Sequence, residues 1–542
     1  VVLTGSFVGW SYPQVSARLA ARGIAVVPSP QMGAQAIIVG ADPGSQAARG
    51  KALGLPLLGA EHLQRLMEGE AWESVLGSLL SPQAPYASFN EVLTDLREWL
   101  HGGPSREAWE RLTLALDRCA PETLALALDY AAPLWDRWPD HEEPSAGDGN
   151  PADRAAELGP SLAEDERLLG EMPRRWWAAL ARGEASPKFG LARALTLAHE
   201  ALPQAHALFR GTSFPRLRRL TLSGKSAPRE LWGSLASSQN LPALQNLRLE
   251  HLSLAENDAR ALGTSHALPQ LRHLSLRDCA FDAPTLRALL HGPLARRLET
   301  LDLSRCALSA ESARHLSELS VRLERLWLPG NQLDDDALEV MTRALHHARP
   351  THLHLGNNPL RARSLRALCE SPFASALVWL DLSRCSLSDK SLHDLPVAPH
   401  LASLQHLDLG HNLLRDAHEV AAFIQPLRAL TELRLAHNPL RPDELGALWR
   451  EPGRARLAHL DLSHTATHDE ALGALARATH LRGLQRLDLR HTHITPVGLR
   501  SLRESKHLAG LRFLGLGPAL AASEEAAALR SAGVLAPDAV VV

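Results

Sequence analysis

The sequence predicts an α/β fold: a curved solenoid of about twelve stacked strand–helix units, preceded by a helical segment and a small α/β domain. Three observations carry that prediction. A leucine frame recurs in phase through the second half of the chain. Short β-branched runs alternate with helical spacing over residues 1–69. A chain of 542 residues asks for several units at roughly 150 residues each. The expected boundaries are 1–69 for the small domain, 70–211 for the helical segment, 212–520 for the solenoid and 521–542 for a C-terminal cap or tail.

From Leu217 onward the frame L-x-x-L-x-L-x-x-N/C-x-L recurs. Clear copies are Leu271-Leu274-Leu276-Cys279-Phe281, Leu323-Leu326-Leu328-Asn331-Leu333 and Leu404-Leu407-Leu409-Asn412-Leu414, with weaker ones at the ends. Copies begin at 217, 244, 271, 298, 323, 350, 377, 404, 430, 457, 484 and 511, so the step is 25 to 27 residues. Each copy pairs a short alternating strand with a helical stretch such as Ser312-Ala313-Arg314-His315-Leu316. No unit can bury its leucines alone, so stacking must supply the core. The slot holding Asn, Cys or Thr sits in the turn after each strand, where its side chain can bond backbone groups otherwise buried and unpaired. Length and Asn/Cys alternation resemble ribonuclease-inhibitor-like leucine-rich repeats over about residues 212–520. The resemblance implies strands on a concave face, helices outside, and protein partners. Some members of that family activate GTPases or carry ligase domains, so the fold alone does not fix function.

In the first domain Val1-Val2-Leu3-Thr4-Gly5 reads as a strand entering a Gly turn, followed by a helix from Tyr12 to Arg22. Ala25-Val26-Val27, Ala36-Ile37-Ile38-Val39 and Leu55-Pro56-Leu57-Leu58 read as further strands. Helices are expected from Pro43 to Gly54 and from Ala60 to Met67. The phrases VVLTG, AIIVGADPGS and ALGLPLLGAEHL resemble the BRCT domain at the end of NAD-dependent DNA ligases. In its phosphate-binding members, the resemblance implies, a Thr-Gly after the first strand and cations near the helix starts hold the anion. Thr4 and Gly5 match, and Arg49 stands where a second basic residue is common; Gln46 and Tyr12 replace the other expected cations. Thr4, Gly5 and Arg49 are therefore the candidate anion site, with a plain protein-contact module as the alternative.

Residues 70–211 hold seven of the twelve tryptophans, on amphipathic stretches such as Glu91 to His101 and Arg106 to Leu116. These rings are expected as helix-packing anchors, with the last helices capping the solenoid's open end. The acidic, Pro- and Gly-rich stretch 139–166 reads as a mobile loop or linker.

Composition narrows the chemistry. A net charge of −3 lacks the basic excess of a dedicated nucleic-acid binder. Only five of the 57 basic residues are lysine, a bias that fits GC-rich, bacterial coding. Five cysteines exclude a disulfide-stapled secreted fold, and no apolar run of about 18 residues crosses a membrane. No basic-then-apolar leader opens the sequence, which starts at Val1 directly in a strand, and a cytoplasmic location is expected. The SGKS at Ser223–Ser226 is not a phosphate loop, because Arg219 stands where that motif needs Gly. No CxxC, HExxH or GxSxG motif occurs, so no catalytic residue, metal or cofactor is expected.

Function therefore falls to the residues between the framework leucines, which point out of the concave surface. Trp327, His352, His354 and Trp379 form one uncharged cluster there, from three consecutive repeats. Exposed Trp with a polar rim is the usual make-up of an interface hot spot. Arg325, Asp381 and Asp408 flank it and would set partner choice. The expected function is non-enzymatic binding of a protein partner on this face; the alternative is a DNA-repair or replication accessory whose BRCT-like module engages DNA or a phosphorylated ligand. His411, His437, His464 and His491 share one slot in successive repeats and should stack roughly 5 Å apart. Asp302, Asp381, Asp408, Asp461 and Asp488 share another and read as surface residues.

Overall fold

A computed structural model describes residues 1–4, 12–20, 24, 26, 37–40, 57–68, 86, 88–101, 103–139, 169–182, 184, 186–198, 201–317, 323–345, 348–393, 395, 399–449, 456–508, 510–531 and 535–541. The chain divides into two compact units, Val1–His101 with Arg111–Ala131, and Gly102–Glu110 with Ala132–Val542.

In the first unit, β-branched and leucine runs form a parallel sheet of Val2–Thr4, Ile37–Val39 and Leu57–Leu58, paired in that order. The helices Tyr12–Ala20 and Ala60–Glu68 turn Val15, Leu19, Leu63 and Leu66 onto Leu3, Ile38 and Leu58. Their apolar spacing of three and four residues places those side chains on one helical stripe. The helix expected from Pro43 to Gly54, most of the strand expected at 25–27 and nearly all of the acidic stretch 139–166 lie outside the described residues. The helices Phe89–His101 and Arg106–Asp117 fall where amphipathic spacing places them.

The second unit is built on fourteen parallel strands among the described residues, from Ala194–Leu197 to Leu535–Val541, stacked in sequence order. Framework leucines meet in register: Leu326 pairs with Leu353, Leu353 with Leu380, and Leu380 with Leu407. All four are buried to within 1 %. Two strands lie beyond the twelve units of the leucine frame. Ala194–Leu197, inside the segment expected to be helical, keeps the alternation of Leu195 and Leu197 but has neither Asn nor Cys in the following slot. Leu535–Val541 pairs with Leu511–Gly515 at the other end.

The turn slot does what its chemistry predicts. Asn412 Oδ1 accepts the N–H groups of Cys385 and Leu387 at 3.0 Å, and its Nδ2 donates to the carbonyls of Leu382 and Leu409 at 2.9 Å. Asn331 makes the same four bonds three repeats earlier. One amide thus satisfies backbone groups of two adjacent repeats. Where Cys fills the slot, its thiol donates to the preceding repeat: Cys279 to Leu249 O at 3.2 Å and Cys385 to Leu355 O at 3.3 Å. Burial pushes both thiols up to about 12, so the nucleophilic thiolate is disfavoured. Cys279 and Cys306 are both free thiols.

At the first strand the tryptophans act as packing anchors. Trp109 stacks on Trp135 at 4.5 Å, Trp138 tilts against Trp135 at 5.2 Å, and Trp176 meets Trp109 edge-on at 6.0 Å. Buried indole N–H groups find partners, Trp109 on Glu171 O and Trp135 on Leu191 O. The buried guanidinium of Arg193 lies 4.2 Å over Trp135 and donates to the carbonyls of Trp138 and Pro139. Glu171 bridges to Ala194 beside it, so that strand's outer edge is partly paired. No helix among the described residues is long and apolar enough to cross a membrane.

Candidate binding face

Residues on either side of each strand's first leucine form two columns across the sheet. Arg325, His352, Trp379, His406, Glu432 and His459 stand in the first; Trp327, His354, Asp381, Asp408, Arg434 and Asp461 stand in the second. The structure therefore brings all seven residues of the expected patch and its rim onto adjacent strands.

Their rings make a continuous wall. Trp327 stacks on His354 with centroids 4.9 Å apart, His354 on Trp379 at 5.8 Å, and Trp379 on His406 at 4.5 Å. The expectation that both indoles are exposed needs correction. Trp327 and His354 are 5 % and 6 % exposed, while Trp379 and His352 are half-buried. Parallel strands set the two rings face to face, and each covers the other. The indole Nε1 of Trp327 is buried without a hydrogen-bond partner. Burial, with Arg325, His354 and His406 nearby, pushes His352 down to about 4. It is neutral at pH 7.

Beyond His406 the wall meets a buried charge cluster not singled out from the sequence. Glu432, 3 % exposed, receives His406 Nδ1 at 3.0 Å, His459 Nδ1 at 3.4 Å and Arg434 Nη2 at 2.6 Å. Burial alone would raise its pKa; the two imidazoles and Arg434 outweigh that and hold the carboxyl well below the usual range. Reading the first column downward would have revealed a carboxylate between two histidines, His406-Glu432-His459.

The aspartates of the second column cap their own turns. Asp302, Asp381, Asp408, Asp461 and Asp488 each accept the backbone N–H two residues on, at 2.7 to 3.0 Å. Asp302 is 6 % exposed and Asp381, Asp408 and Asp461 are half-buried, so the surface assignment holds only in part. Burial opposes ionisation of Asp381, but His354 and the Ser383 N–H keep its carboxyl low. Asp408 goes the other way, to about 7, through burial and the neighbouring Asp381 against Arg434 and the Gly410 N–H.

Past the strands, the residue before the ladder slot is held in left-handed backbone. His411, His437, His464 and His491 have φ of 54°, 55°, 54° and 57°, a region His tolerates better than most residues. Their rings stack at 3.9, 3.9 and 4.2 Å, closer than the strand spacing. Arg384 closes one end, its Nη2 3.0 Å from His411 Nε2. Between this file and the aspartates lies a groove of about 540 Å³. Its floor includes Gly410, Ala436 and Ser463.

In the first unit Thr4 is buried, and its carbonyl accepts the Gly40 N–H at 2.8 Å. Gly5 and Arg49 lie outside the described residues.

Residues 480–502 match the family model described as a leucine-rich repeat. A mouse protein, "NACHT, LRR and PYD domains-containing protein 14", is 31 % identical over 132 residues, which cover 18 % of this chain and 13 % of that protein. The match thus spans about an eighth of the curated relative's length. Among solved structures, an internalin of Listeria monocytogenes is 16 % identical with a TM-score of 0.38, covering 63 % of this chain and 93 % of its own. The mouse RP105/MD-1 complex gives 20 % identity and a TM-score of 0.36, covering 60 % of this chain and 50 % of that one.

Proposed function

We propose that this leucine-rich-repeat protein is a non-enzymatic, cytoplasmic interaction scaffold that binds a protein partner on the face carrying Trp379, His352 and His406. The observation that carries it is the ring wall Trp327–His354–Trp379–His406. Its inner pair is locked by burial, which makes it a rigid support. Its outer rings, Trp379 and His406, are stacked on one another and only half-buried, so part of each remains open to a partner. Preorganised aromatic anchors bind with little loss of side-chain freedom. Arg325 and Asp381 stand on the two strands that flank His352–His354 and supply charges that select the partner. The buried, high-pKa ladder thiols fit a scaffold rather than thiol chemistry. For the amino-terminal module, the parallel sheet with its two helices supports the BRCT-like reading of a contact domain.

The test compares the wild-type chain with Trp379→Ala as bait in extracts of the source cell, with quantitative mass spectrometry of what each retains. Loss of a specific captured protein from a variant that still unfolds cooperatively well above the assay temperature supports the proposal. An identical capture profile rejects this face as the binding site.

A further inference from the structure

The imidazole file is a second run of stacked rings, on residues other than those of the ring wall. Arg384, His411, His437, His464 and His491 form an unbroken row: Arg384 donates to His411 Nε2, and the rings follow at spacings of 3.9, 3.9 and 4.2 Å. His437, His464 and His491 are exposed. Across the groove stand the carboxylates of Asp408, Asp461 and Asp488, with small residues on the floor between. One wall therefore offers imidazole nitrogens, and the other carboxylate oxygens interspersed with Arg434, Arg486 and Arg490.

We infer that this groove binds an acidic peptide segment, whose carboxylates accept from the imidazole file and whose backbone N–H groups donate to the aspartate wall. A nucleic-acid backbone has the anions for the first wall. Its phosphates bring fixed negative charge toward the second wall, and its only backbone donors are the hydroxyls of ribose. A peptide carries both kinds of group at every residue.

The stacking makes this recognition depend on protons. Rings this close cannot all become cations without a counter-charge, because each new charge faces its neighbour at contact distance. In the free chain, burial and then Arg384, His437 and His464 push His411 down to about 4. Burial, His464, Arg384 and His491 lower His437 as well. Facing the file from the strands are Asp408, Asp461, Asp488 and Glu432, with Arg434, His459, Arg486 and Arg490, the last held on Asp488. Asp408, raised to about 7, loses its charge over the same pH range, which also favours an anionic ligand. Carboxylates laid along the row supply the missing counter-charge and raise the imidazole pKa values. Binding then takes up protons, so affinity rises as pH falls. Each proton taken up steepens it by about tenfold per pH unit. The rise ends near the pKa of the peptide's own carboxyl groups, at about 4.3 for Glu.

The test uses the full chain and a synthetic oligoglutamate peptide, titrated by calorimetry from pH 7.5 to pH 5 in two buffers of different ionisation enthalpy. The expected result is net proton uptake and binding about tenfold tighter per pH unit. The variant carries His437→Asn and His464→Asn, since Asn accepts the left-handed backbone these positions hold. It should keep the melting temperature and lose the acid strengthening. Because the probe is a defined peptide, failure of the ring wall to capture a partner leaves this result untouched. Absent binding, binding without proton uptake, or an unchanged pH slope in the double variant each overturns the inference. So does a single-stranded oligothymidylate that binds as tightly as the peptide.

Discussion

Trp327 and Trp379 sit on the same wall, yet truncating them should have unlike costs. An indole side chain buries roughly 150–250 Å². At about 25 cal/mol per Å², full burial contributes about 4–6 kcal/mol. Trp327 is only 5 % exposed and so draws on nearly all of that. Against it stands the unpartnered Nε1, since an unsatisfied buried donor costs about 1–3 kcal/mol and leaves with the side chain. The net expectation for Trp327→Ala is about 1–5 kcal/mol of destabilisation. Trp327→Phe keeps a ring against His354 and deletes the unpaired N–H, so it should fall within about 1 kcal/mol of wild type, on either side. Trp379→Ala, from a half-buried site, should cost under about 1.5 kcal/mol. Urea unfolding followed by circular dichroism, at unchanged m-value, reads all three. A Trp327→Phe variant as damaged as Trp327→Ala would refute the role given to the orphaned indole N–H. A neutral Trp327→Ala would refute its burial.

The other outcomes can be stated together. Asn412→Ala strips four backbone groups of a partner, so it should destabilise by about 3–5 kcal/mol and speed amide exchange at Cys385 and Leu387, read by hydrogen-exchange mass spectrometry. The raised folded pKa of Asp408 means the native state binds the extra proton between pH 4 and about 7, so its contribution falls as pH rises through that window. Asp408→Asn, which can still accept the Gly410 N–H, should therefore raise the unfolding midpoint more at pH 8 than at pH 4. Glu432 has the opposite sign: its pairing stabilises the fold above the ordinary carboxylate range and is lost in strong acid, so Glu432→Gln should destabilise most at pH 7 and least near pH 2. Cys279, Cys369 and Cys385, pushed up to about 12 by burial, should resist alkylation at pH 8 in the native chain while half-buried Cys119 reacts; unfolding without reductant should expose all five thiols.

The leucine frame made the strand register legible before any coordinates, down to which side chains share a column. Trp327 beside His354 and His352 beside Trp379 followed from spacing alone. So did the common slot of His411, His437, His464 and His491, because a strict repeat turns sequence offset into distance. What stayed hidden depends on side-chain conformation. Whether Trp327 faces solvent or lies flat on His354 is not a matter of register. The convergence of His406, His459 and Arg434 on Glu432 links three successive strands, and no single repeat shows it. The strand Ala194–Leu197 escaped because Ala192 stands where the frame has its first leucine and Glu200 stands in the turn slot. The aspartates looked like surface charge because D-L-S spells a polar residue; that its carboxylate closes the following turn needs coordinates.

The shared amides of the Asn ladder also bear on how the solenoid would answer a pull. Each one, as at Asn412, joins two repeats through bonds to both, so tension applied at the chain ends loads the junctions in series. A junction that gives way frees one repeat of 25 to 27 residues, and at about 3.3–3.6 Å per residue the tether lengthens by roughly 80–100 Å. Force–extension traces should show a sawtooth with that tooth spacing. The teeth at Thr465 and Thr492 should be lower than those at Asn331 and Asn412, because each Thr hydroxyl donates only within its own turn.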